Sequence, residues 1–170
     1  AVDEGGRVSG LQMRILADMG AYPLVPMIPE LTGWMAVGVY RIPVVDIEID
    51  GVFTNTTPMA AYRGAGRPEA AYYIERMMDI VANELQLDPA EVRRKNFVRP
   101  EAFPYKTPTG KTTYDSGEYK QALEKALEVA NYSELRSEQE QRNDQHNDML
   151  LGIGLACYVE ICGFGPYESA

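Results

Sequence analysis

Between Thr54 and Ala70 the chain reads Thr-Asn-Thr-Thr-Pro-Met-Ala-Ala-Tyr-Arg-Gly-Ala-Gly-Arg-Pro-Glu-Ala, small residues interrupted by two arginines and two glycines. Arg63 and Arg67 are planar cationic forks suited to phosphates and other oxyanions. Gly64 and Gly66 lack a Cβ, so the backbone can take positive φ and a ligand can approach its amide N–H groups. Pro68 stands at the favoured first-turn position of a helix, with Glu69 beside it. The start of that helix adds unpaired N–H donors and a partial positive charge. Together these favour an anionic group held at a strand–loop–helix junction. A plainer reading of the same residues is a tight turn whose arginines pair with carboxylates such as Glu69 or Glu75. Two phosphate motifs are excluded: no Gly-Lys-Ser/Thr follows, and the third glycine of a dinucleotide fingerprint is missing.

Positioning such a loop requires a strand before it and a helix after it. Residues 7–19 alternate apolar and polar side chains, and 40–53 carry Val44, Val45, Ile47, Ile49 and Val52, which predicts a strand or hairpin arm ending near Thr54. Asp3-Glu4-Gly5-Gly6 reads as a hairpin turn. Pro23, Pro26 and Pro29 mark 20–33 as an irregular loop or short helical turn. Residues 68–87 form the clearest helix, with Ala70, Ile74, Met77, Met78, Val81 and Leu85 at helical spacing. Asp88, Pro89 and Glu91 restart a helix as N-cap, N1 and N3. After a Pro-rich loop over 100–110, Ser116 is placed to cap a helix over 117–130. The order of strands, helices and strand gives an α+β class. Residues 1–60 carry strands and the Pro-rich loop, and 61–131 the arginine–glycine loop and helices. Residues 132–149 form a polar helix or linker, and 150–170 a strand.

The chain has 170 residues, 45% hydrophobic and 24% charged, enough for one domain or part of a larger one. A net charge of −9 argues against nucleic acid or an anionic membrane surface as the main partner. No apolar run has the length of a spanning helix. Cys157 and Cys162, placed on opposite faces of one strand, make no disulfide framework, which fits a cytoplasmic compartment. Both ends of the chain read as cuts through a sheet, as in an internal fragment.

The segment from Thr54 to Ala70 closely resembles the molybdenum-site loop of the molybdenum hydroxylases, the xanthine dehydrogenase and aldehyde oxidase family, which includes the large subunits of aerobic carbon monoxide dehydrogenase type. Ala17-Asp18-Met19-Gly20-Ala21-Tyr22 is similar to its strand-end motif, and Leu87-Asp88-Pro89-Ala90-Glu91-Val92-Arg93-Arg94-Lys95-Asn96-Phe97 to its helix after the loop. Tyr114-Asp115-Ser116-Gly117-Glu118-Tyr119, Gly152-Ile153-Gly154 and Tyr158-Val159-Glu160 also fit, so the resemblance spans essentially the whole chain.

The resemblance implies part of a molybdopterin-binding domain, in a large subunit that oxidises a small substrate, such as an aldehyde or N-heterocycle, with water as oxygen source. It implies that Tyr62, Arg63, Gly64, Ala65, Gly66 and Arg67 contact the cofactor, with Arg63 beside the metal centre. That cofactor is molybdenum with molybdopterin cytosine dinucleotide. FAD and 2Fe-2S clusters are then carried by an FAD-binding medium subunit and an iron–sulfur small subunit, and the assembled enzyme is a homodimer. Xanthine-oxidising relatives have a phenylalanine where Ala65 stands, which counts against a purine substrate. In true carbon monoxide dehydrogenases the loop reads Tyr-Arg-Cys-Ser-Phe-Arg and its cysteine holds copper; Gly64 takes that place here. The family's glutamate base lies beyond residue 170, so none of these residues is expected to be catalytic and the chain alone is expected to be inactive. A non-catalytic subunit-contact module and an unrelated anion-binding domain are the alternatives.

Other candidates have plainer readings. Glu160 reads as a strand-end carboxylate near the pocket with a structural hydrogen bond, and Asp18 as a turn-former. Met77 and Met78 read as core fillers, Trp34 as core or loop packing, and His146 as a solvated side chain.

Overall fold

The computed structural model describes residues 1–144 and 149–161. Strands β1 (Gly10–Gly20) and β2 (Val44–Phe53) pair in parallel, with Gly10 opposite Val44 and Asp18 opposite Val52. A register shift then sets Gly20 opposite Phe53. The segment from 40 to 53 is therefore a crossover strand and not a hairpin arm; helix α1 (Ile28–Trp34) lies in the connection, as parallel pairing requires a long link. Met13, Ile15, Val45 and Ile47 turn to the half-buried face, while Gln12, Arg14, Asp46 and Glu48 face outward. Arg14 lies 3.5 Å from Glu48 and 3.3 Å from Asp50, exposed pairs of the kind that add little stability. The expected N-terminal turn forms, closed by a Val2–Val8 bridge.

Helix α2 (Arg67–Glu84) begins with Pro68 in its first turn, and Leu85 caps its C-terminus. Its buried stripe is Ala70, Ile74, Met78 and Ala82; Met77 is 45% exposed, one position round the helix from the core-facing Met78, and is not a core filler. Helix α3 (Pro89–Asn96) starts as its sequence predicts: Asp88 Oδ1 accepts from the N–H groups of Ala90 at 2.8 Å and Glu91 at 3.2 Å. Helix α4 (Tyr119–Val129) does not use Ser116 as its cap. Glu118 occupies that position without a side-chain bond, and the Ser116 hydroxyl turns to Asp115 Oδ1 at 3.2 Å. Helix α5 (Tyr132–Asp144) is polar and carries an i,i+4 pair between Arg142 and Glu138. A short antiparallel pair, β3 (Tyr105–Lys106) and β4 (Thr113–Tyr114), interrupts the Pro-rich loop. Trp34 is half-buried at the end of α1, beneath the Lys111 ammonium at 5.9 Å from its ring centre. No helix among the described residues is long and apolar enough to cross a membrane.

The core gathers where α2, α3 and α4 meet residues 37–42. Tyr40 stacks on Phe97 at 5.6 Å, and the Arg41 N–H donates to Asn96 O at 2.7 Å. At its centre lie two charges. Arg93 is fully buried, and its Nε donates to Glu75 Oε2 at 2.9 Å. The Tyr40 hydroxyl donates to Glu75 Oε1, and the Arg93 guanidinium also reaches Pro89 O, Glu75 O, Asp79 Oδ1 and Leu155 O. Burial, together with the Glu75 carboxylate, pushes the Tyr40 hydroxyl far above its ordinary pKa, so it stays a donor.

The strand expected over 150–170 has no ladder partner through residue 161 among the described residues, and 162–170, with Cys162, lie outside them, as does His146. From 151 to 161 burial alternates residue by residue, the period of an extended chain. Side chains anchor it: the Cys157 N–H donates to Glu75 Oε2 at 2.9 Å and the Leu155 carbonyl accepts from Arg93 at 2.9 Å. Burial and the Glu75 carboxylate push the Cys157 thiol up to about 11. Cys157 is therefore expected to alkylate slowly at pH 8, read by mass spectrometry of the labelled thiol. Arg93→Met, which leaves the Glu75 charge buried without its partner, is expected to cost about 3–5 kcal/mol of local stability, measured by chemical denaturation.

Candidate functional site

The loop between β2 and α2 is tied down at both ends. At its entrance Asp18, at the end of β1, accepts from the Gly20 N–H at 2.8 Å and the Thr54 hydroxyl at 2.6 Å through Oδ1, and from the Thr56 hydroxyl at 3.2 Å through Oδ2. The backbone adds Thr54 N–H to Gly20 O at 3.1 Å and Ala21 N–H to Thr56 O at 3.1 Å. Gly20 has φ +66°, and a Cβ there would stand 2.4 Å from the Thr57 carbonyl oxygen. Asp18 is thus the turn-former its position predicts, and it also holds the loop. The Thr54 hydroxyl, with the Gly20 N–H, lowers its pKa below the ordinary 3.8.

At the exit Gly64, Ala65 and Gly66 all take positive φ, at +85°, +48° and +84°. A Cβ on Gly66 would lie 2.3 Å from Ile28 O and 2.9 Å from Thr32 N, both on α1. The backbone of α1 therefore by itself demands glycine at this position. The junction is locked against α1, and its direction out of the fold is set.

The two arginines answer the tight-turn reading differently: Arg67 pairs with a carboxylate, as that reading has it, and Arg63 does not among the described residues. Arg67, the first residue of α2, pairs with Glu160, a carboxylate from the far end of the chain. Glu160, expected at a strand end with a structural hydrogen bond, instead makes an ion pair with the loop from a segment that has no ladder partner among the described residues. Arg63 is exposed and has no ion-pair or hydrogen-bond partner among the described residues, and Tyr62 is fully exposed. No side chain caps the first turn of α2. The loop therefore exposes a cationic fork and a phenol a few residues before the uncapped start of an 18-residue helix. This donor set fits an anionic cofactor group.

Sequence reasoning located the loop and missed its supports. The Asp18–Thr54 and Glu75–Arg93 pairs join residues far apart in the chain, and one sequence holds no signal that two distant side chains meet.

The family model described as the molybdopterin cofactor-binding domain matches residues 1–97. Over 172 residues the chain is 41% identical to the carbon monoxide dehydrogenase large chain of Hydrogenophaga pseudoflava, covering 98% of this chain and 21% of that protein. It is 32% identical to the nicotine 6-hydroxylase large subunit of Paenarthrobacter nicotinovorans over 169 residues, covering 96% of this chain and 20% of that one. Among solved structures, the Cu,Mo-CO dehydrogenase in its carbon monoxide reduced state matches 86% of this chain and 19% of its own, at TM-score 0.76 and 36% identity. Quinoline 2-oxidoreductase from Pseudomonas putida 86 matches 84% of this chain and 19% of its own, at TM-score 0.76 and 34% identity. The chain thus spans about a fifth of the length of these relatives.

Gly66→Ala forces both a left-handed alanine and a backbone collision, and is expected to destabilise by more than about 1–2 kcal/mol, read as a lower thermal midpoint. Because the Asp18 pKa is lowered on folding, its stabilisation is complete above 3.8 and is lost only as pH falls through the lower folded value. Hydrogen-exchange protection of the Gly20 amide is accordingly expected to hold from pH 7 to 4, and to drop at all these pH values in Asp18→Asn.

Proposed function

Because the chain belongs to the molybdopterin cofactor-binding domain family, we propose that it forms part of the large subunit of a molybdenum hydroxylase and that Tyr62 to Arg67 contact the cofactor. The observation that carries this reading is Arg63, exposed and with no ion-pair or hydrogen-bond partner among the described residues, on a loop held at both ends. Its guanidinium grips an oxyanion bidentately, the uncapped start of α2 adds a positive field, and Tyr62 supplies a ring face and a hydroxyl. Molybdopterin cytosine dinucleotide, rich in phosphate oxygens, fits that donor set. When bound, the molybdenum–pterin group supplies two-electron redox chemistry and the transfer of water-derived oxygen to the substrate. The chain's own residues hold and orient the group and supply no catalytic base. FAD-binding medium and iron–sulfur small subunits carry electrons away, in a cytoplasmic assembly that is a homodimer of such units. The family membership sets aside an unrelated anion-binding domain.

For the substrate we favour an aldehyde or N-heterocycle. Gly64 offers no thiol to hold copper, and Ala65 offers no ring to stack on a purine. Relatives that are 32% identical or structurally similar act on N-heterocycles by their names, nicotine and quinoline. Carbon monoxide is the second reading, favoured by the 41% and 37% identities to carbon monoxide dehydrogenase large chains.

In the full-length assembly, Arg63→Ala is expected to weaken retention of the molybdenum–pterin nucleotide about tenfold or more, as loss of a charge-assisted hydrogen bond does. Metal and nucleotide analysis after gel filtration reads this, and unchanged content refutes the cofactor contact. The native assembly is expected to hold no stoichiometric copper and to oxidise aldehydes or N-heterocycles. Stoichiometric copper with turnover of carbon monoxide selects the second reading.

A further inference from the structure

The buried Glu75–Arg93 pair does more than fill the core. Its two bonds to the C-terminal segment fall on Leu155 O and Cys157 N–H, two residues apart and so on one edge of an extended chain. Two bonds on one edge fix both the position of the segment and its rotation. Three residues further on, Glu160 meets Arg67, whose side chain is 15% exposed against 38% for Glu160. The backbone of Arg67 follows Gly66, which packs so close to α1 that a Cβ there would stand 2.3 Å from Ile28 O and 2.9 Å from Thr32 N. One end of the ion pair is thus set by α1 and the other by the buried pair.

We infer that Glu160 is a positioning residue for the cofactor loop, holding the Arg67 fork at the first turn of α2 from a place set by Glu75 and Arg93. The two arginines of the loop then meet the cofactor from different settings: Arg67 is held by Glu160, and Arg63 is exposed. The inference rests on the reading of residues 62–67 as the cofactor contact, and its test separates the two.

The test uses the full-length chain. In the cofactor-free state, Glu160→Gln is expected to raise hydrogen exchange of amides 62–69 about tenfold while α3 changes less than about twofold. Glu75→Gln is expected to loosen both amides 62–69 and amides 155–157. In the loaded assembly, Glu160→Gln is expected to change the line shape of the molybdenum electron paramagnetic resonance signal, and Glu160→Asp to recover it in part. Native exchange at 62–69 in Glu160→Gln, or an equal rise throughout α3, overturns the positioning role. If Glu160→Gln does not accumulate, Glu160→Asp decides: faster exchange confined to 62–69 supports the role, and none overturns it. Failure of the parent reading has a different signature, because Arg63→Ala then retains its full cofactor while the exchange result still judges the Glu160 tether.

Discussion

A guanidinium and a carboxylate buried together at the centre of three helices impose a strict condition: every remaining donor and acceptor must be matched, or the charge is stranded. Arg93 and Glu75 meet it with Tyr40, Asp79, the Pro89 and Leu155 carbonyls and the Cys157 N–H. Such a pair adds little net stability over an apolar replacement, and breaking it is what costs. Its structural effect is to specify. It sets α3 against α2, Tyr40 against both, and the segment from 151 to 161 across them.

The loop that follows β2 depends on that frame at one end and on β1 at the other. Asp18 gathers Thr54, Thr56 and Gly20 at the entrance, and α1 and Glu160 confine the exit. Among the residues the loop leaves exposed, Tyr62 and Arg63 carry the groups able to engage a ligand just before the first turn of α2. A loop confined in this way would need little further ordering on meeting a ligand. Arg63 within it is an exposed cation on a chain of net charge −9.

Helices α2 and α3 were legible because their signals are local: a proline in the first turn, an aspartate accepting from the next turn, and apolar residues at helical spacing. The arginine–glycine loop was legible for the same reason. The parallel pairing of β1 and β2 was not, because alternation reveals a strand and says nothing about its partner. Ser116 misled for a related reason: it had a competing partner, Asp115, one residue away. The run 151–161 carried the alternation of a strand and is anchored by side chains that no pattern within it could reveal. The glycines were legible as positions of positive φ, whereas the packing of Gly66 against α1 was not, because no local pattern names the neighbour.

The most direct measurement is anomalous diffraction at the molybdenum absorption edge from crystals of the full-length assembly. A metal peak on the loop side of the fold, with the bound group touching Arg63 and the first turn of α2, is the predicted result. A peak whose group touches neither Tyr62 nor Arg63 contradicts it.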